Sequence, residues 1–157
     1  MLDEAARKSL EELYRVEGVT LWKAVLAFSG SRDVADEAVA EAFAQAGRRF
    51  DQLASPKPWL YAAAFHIARG LLKSGREVGL YALEPPGGAI AGDDEAQVDL
   101  LQLLRILTPM QRGCFVLREL LGYESIETAR ILGTSSGAVR VHLHGARKRL
   151  RGVIDEG

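Results

Sequence analysis

The sequence predicts an all-α protein of two small helical domains joined by a flexible acidic linker. Three observations carry this. Apolar residues in the periodic segments recur at the three-and-four spacing of helices, and no alternating strand pattern stands out. The chain has 157 residues, enough for one ordinary domain or two small ones. Charge divides it into three: residues 1–76 mix both signs, residues 77–98 hold Glu77, Glu84, Asp93, Asp94 and Glu95 with no Lys or Arg, and residues 99–157 are basic overall. The middle stretch contains EPPGGAIAGDD, whose paired prolines and glycines break regular structure. The expected domains are therefore 1–76 and 99–157, with 77–98 as tether.

In the first block, Ala35, Val39, Ala42, Ala46 and Phe50 mark the buried face of a helix from Asp33 to Phe50. Ser55 and Pro56 read as N-cap and first helical residue of a helix running to about Lys73, with Leu60, Ala64, Ile67 and Leu71 inward. In the second block, Thr108-Pro109-Met110-Gln111 is a capping box with proline at its first helical position. The helix it opens buries Met110, Cys114, Leu117 and Leu121 and stops at Gly122. A short helix follows from Ser125 to Leu132. Gly133-Thr134 makes a turn that needs positive φ, and Ser135 caps a last helix.

That last helix explains an imbalance of charge. The formal net charge is −1, which argues against a protein that coats nucleic acid wholesale. Yet Arg130 to Val153 contains no acid. Val139, Leu143, Ala146 and Leu150 form one apolar stripe, and Arg140, His144, Arg147, Lys148 and Arg151 a cationic stripe about a quarter-turn away. A surface helix kept for solubility normally mixes signs. A short helix, a tight turn and a helix with one basic edge instead suit a helix-turn-helix unit whose second helix enters the DNA major groove. Ser136 and Arg140 would lie at the groove floor and Arg147, Lys148 and Arg151 further back near phosphates, with Ser135 and His144 completing the DNA-binding set.

Other classes of function find little support. Cys114, the only cysteine, permits no intramolecular disulfide and no cysteine-built metal site, and a reducing cytoplasm is the expected location. His142 and His144 point about 200° apart on a helix and cannot share an ion. No phosphate-cradling glycine loop or nucleophile motif occurs, so neither catalysis nor a cofactor is expected. The N-terminus is too charged for a signal peptide, and the longest weakly polar run, Trp59 to Ala68, is far short of the ~20 residues of a membrane span.

YESIETARILGTSSGAVRVHLHGARKRL resembles the C-terminal promoter-reading domain of sigma-70-type initiation factors, and LTPMQRGCFVLRELLG the helix before it. LEELYR, GSRDVADEAVAEAF and PKPWLYAAAFHIARGLLKSGR resemble the same family's polymerase-binding and promoter-melting domain, in order. The short two-domain form is similar to the extracytoplasmic-function (ECF) subgroup. The resemblance implies a dissociable specificity subunit of bacterial core RNA polymerase that reads the −35 element with its last helix and captures the melted −10 strand. It places Glu37, Glu41 and Phe43 on the polymerase-clamp motif. It places Trp59, Tyr61 and His66 on the melting segment, where Phe65 adds another ring on which a base can stack. Burial, the ordinary use of a large aromatic, competes with that role at Trp59 and could equally claim Phe43. Promoter DNA and core polymerase are the implied partners, an anti-sigma factor is left open as a third, and no membrane is involved. Ala40, Phe65, Gly70, Thr128, His142 and Gly145 depart from the residues usual in the family. Two alternatives stand beside this reading: a helix-turn-helix regulator that binds DNA without polymerase, and a helical adaptor that binds polymerase or another regulator without opening promoters.

Overall fold

The structure, a computed structural model, describes residues 3–76 and 95–156, with side chains for 3–75 and 100–155. Every regular element among the described residues is helical. The first half comprises α1 (Glu4–Ser29), α2 (Arg32–Arg49) and α3 (Pro56–Leu71). Local chemistry fixes their ends. Asp3 caps α1 by accepting from the Ala6 amide at 2.7 Å, and Gly30, at φ 74°, stops it in the left-handed conformation. Ser31 caps α2 through the Val34 amide at 3.2 Å. Ala35, Ala38, Ala42 and Ala46 form a fully buried stripe on α2, small enough for α1 and α3 to lie close on either side. Pro56 opens α3 as expected, although the Ser55 side chain makes no cap bond. The helix ends at Leu71, short of Lys73, where the chain widens into a turn, Leu72–Arg76, with Gly75 at φ 82°.

The second half comprises α4 (Glu95–Leu104), α5 (Pro109–Phe115), α6 (Ser125–Leu132) and α7 (Ser136–Glu156). Because α4 begins at Glu95, the last four residues assigned to the tether are helical; the rest of it, 77–94, lies outside the described residues. The capping box closes at both ends: Thr108 Oγ1 accepts from the Gln111 amide at 3.2 Å, and Gln111 Oε1 accepts from the Thr108 amide at 3.1 Å. A wider turn, Val116–Leu120, continues α5, and Gly122 at φ 78° ends the segment. Gly133, at φ 69°, supplies the turn between α6 and α7.

The two halves share one hydrophobic core, α3 packing on α6 and α1 on α5. This pairing rotates the buried face of α3. Leu60 and Ala64 are buried as expected, but Tyr61, Phe65 and Ala68 join them, while Ile67 and Leu71 are only half-buried. Two arginines fasten the junction. Arg112 of α5 is 1% exposed and pairs with no acid among the described residues. Its Nε and Nη2 donate to Phe28 O at 3.1 and 2.9 Å, and its Nη1 to Leu107 O at 3.0 Å. Burial draws its pKa down to about 10, which leaves the guanidinium charged at neutral pH. Phe28 O belongs to the last turn of α1, where the helix dipole presents partial negative charge. Arg69 of α3 does the converse, donating to Leu132 O and Gly133 O at the end of α6. Each half thus sets an arginine on a helix end of the other.

Candidate nucleic-acid interface

The stripes expected of α7 are both present. Val139, Leu143, Ala146 and Leu150 are buried, and α5 and α6 are the helices packed against α7. Arg140, His144, Arg147, Lys148 and Arg151 are exposed along the other edge. Ser135 is the N-cap, its Oγ accepting from the Ala138 amide at 3.1 Å, and Ser136 is half-buried in the first turn. Arg140, Lys148 and Arg151 carry no ion pair among the described residues, whereas Arg147 is held by Glu119. Arg149, on the flank, donates to Ile106 O at 2.9 Å. This is a rod with one face anchored and one cationic face presented, and α6 with its left-handed Gly133 stands where a helix-turn-helix requires.

The aromatic set on α3 divides. His66 is exposed and Trp59 half-buried, the latter with the Arg49 guanidinium 5.7 Å from its ring centre. Both line a groove between α3 and α6, with Gln45, Arg69 and Arg130. Tyr61 and Phe65 correct the expectation: at 1% and 0% exposure neither offers a ring face to a base in this arrangement. The Tyr61 ring leans on Tyr123 of the other half at 5.6 Å, its hydroxyl donates to Glu17 at 2.8 Å, and Phe65 packs on Phe28 at 5.2 Å. Burial, then the bond to Glu17, raises the Tyr61 pKa. Lys57 completes the cluster, 3.4 Å from Glu17 and over the Tyr123 ring.

On α2, Glu37 is exposed, and Glu41 is half-buried and pinned by Gln45 and Arg48 at 3.2 and 3.1 Å, contacts that lower its pKa. Phe43 lies edge-on to Tyr14 at 5.0 Å, half-buried on the flank of the core.

Comparison with known proteins places this geometry. Residues 97–150 match the family described as sigma-70, region 4. CarQ, an RNA polymerase sigma factor of Myxococcus xanthus, is 31% identical over 105 residues, covering 63% of this chain and 60% of the relative. The ECF RNA polymerase sigma factor SigE of Mycolicibacterium smegmatis is 25% identical, covering 97% of this chain and 64% of the relative.

Its C-terminal part is similar to sigma-70 region 4, and the chain as a whole is similar to ECF RNA polymerase sigma factors.

The chain spans less than two thirds of the length of both relatives, at 60% and 64%. The fold agrees with that of the sigma factor RpoE in its complex with the anti-sigma factor NepR from Bartonella quintana, at a TM-score of 0.69 and 23% identity over 92% of this chain and 95% of that one.

Several departures from the sigma-70 pattern have local causes. A Cβ on Gly145 would stand 2.8 Å from Gln111 Nε2, so a side chain there disturbs the residue whose Oε1 closes the capping box. Phe65 fills the core rather than a surface. Thr128 is fully buried, with its hydroxyl unpartnered among the described residues. At Gly70 a Cβ would meet nothing within 4 Å, and nothing in the packing explains the glycine. Sequence reasoning missed Arg69, Arg112, Glu119 and Tyr123. A lone arginine in an amphipathic helix reads as solvated. The signal that Arg112 is not lies 84 residues away at Phe28.

Proposed function

We propose that this chain is a dissociable specificity subunit of bacterial RNA polymerase that directs promoter recognition and transcription initiation. Its α7 would enter the major groove of the −35 element with Ser135, Ser136 and Arg140 toward the bases. His144 would lie behind them, and Arg147, Lys148 and Arg151 along the backbone. Glu37, Glu41 and Phe43 would meet the polymerase clamp, and the α3 aromatics the melted −10 strand. The observation that carries this reading is the exposed cationic edge of α7 above a buried apolar edge, inside the region matched to sigma-70 region 4. With Tyr61 and Phe65 covered by the packed halves, only Trp59 and His66 of the melting set reach solvent, so the chain would open to engage both elements at once. An anti-sigma partner is part of the proposal, since RpoE is solved with one.

That same burial favours a second reading, an adaptor that recruits polymerase without melting DNA. Run-off transcription with core enzyme over a promoter library separates the two. Discrete start sites that depend on the chain support the first reading. Polymerase recruitment without open complexes supports the second, and sequence-specific binding to a two-fold symmetric site without polymerase contradicts both.

A further inference from the structure

We propose that Glu119 is a positioning residue for a DNA contact made by Arg147; the inference rests on the reading of α7 as the duplex-facing helix. Arg147 lies two turns beyond Arg140 on the same stripe. Its Nε donates to Glu119 Oε1 at 2.8 Å and its Nη2 donates to the same oxygen. Both bonds run from α7 back to the turn Val116–Leu120. One edge of the guanidinium is thereby fixed, and its remaining N–H groups have no partner among the described residues.

The pair is an odd one to keep for stability. Both side chains reach solvent, with relative exposures of 51% and 34%, where an ion pair contributes little. It also sets a carboxylate beside a stripe otherwise free of acid from Arg130 to Val153. By charge alone, that carboxylate repels a phosphate backbone. Its presence is accounted for if it orients the planar fork of Arg147, so that the free N–H groups meet a phosphate without first losing side-chain freedom. Arg140, Lys148 and Arg151 have no such holder among the described residues, which makes Arg147 the preorganised cation of the set.

The sign of one substitution tests this. The full chain is assembled with core RNA polymerase, and binding is measured on a promoter duplex selected by the wild-type holoenzyme, over a range of salt. If Glu119 positions Arg147, Glu119→Ala weakens binding although it removes a negative charge near the DNA. The slope of log affinity against log salt shrinks by about 0.9, the loss of one phosphate contact. Arg147→Ala does the same, the double substitution is no weaker than Arg147→Ala, and Glu119→Gln, which keeps an acceptor oxygen, retains part of the affinity. Tighter or unchanged binding by Glu119→Ala, or further weakening when it is added to Arg147→Ala, overturns the proposal. A wild-type chain that starts no transcription with core enzyme overturns the reading of α7 itself, and that control is read before any variant is compared.

Discussion

Tyr123 carries a hydroxyl that is buried and has no hydrogen-bond partner among the described residues, beneath Lys57 and against Tyr61. Removing an unpartnered buried hydroxyl while keeping the ring relieves a desolvation cost, so Tyr123→Phe should raise unfolding free energy by about 1 kcal/mol in urea titrations. The same site sets an alkaline limit. Burial first, then the nearby Glu17 and Glu127, pushes the Tyr123 pKa up to about 12, and Tyr61 is raised as well. An unfolded tyrosine ionises near pH 10, so the folded state holds these protons longer than the unfolded state. Their contribution is complete below about pH 10 and is lost as pH climbs toward the folded values. Melting temperature should therefore fall above about pH 10, and less steeply in Tyr123→Phe. A flat profile to about pH 12 would contradict the burial of these rings.

Among the elements, those whose ends are written in neighbouring residues stand where the sequence puts them. The Thr108–Gln111 box, the α6 span Ser125–Leu132 and the Gly133–Ser135 turn depend on chemistry within three or four residues. The buried face of α3 was only half legible. Tyr61 meets Tyr123 of the other half and Phe65 meets Phe28 of α1, both far off in sequence, and periodicity reports a face without saying what will cover it. Gly133→Ala tests the turn. A side chain at φ 69° is strained, and its Cβ would stand 2.9 Å from Arg69 Nη1. The expected loss is about 1–2 kcal/mol of stability by chemical denaturation. In α7, Arg140→Ala should cost about 1–3 kcal/mol of promoter binding and relax preference at one −35 position, read by holoenzyme binding to a library varied there. Unchanged preference would remove Arg140 from base reading.

At the scale of the molecule, the reciprocal seating of Arg112 on α1 and Arg69 on α6 joins the two halves. This level was hidden from the sequence, which divides the chain by charge and proline-glycine content and holds no mark of contacts spanning 84 and 63 positions. Arg112→Ala leaves Phe28 O without its donor and should cost about 1–3 kcal/mol. Small-angle scattering should show a larger radius of gyration at unchanged helical content, and an unaltered radius would mean that apolar packing alone holds the halves. Beside Arg112 lies Gly113, where a Cβ would sit 2.9 Å from Leu132 and 3.1 Å from Phe28. Three helices converge there with no space for even a methyl group. The spacing of the molecule's two lobes is therefore gauged by a single hydrogen atom, and enlargement at 113 calls for a trimmed neighbour at 132 or 28.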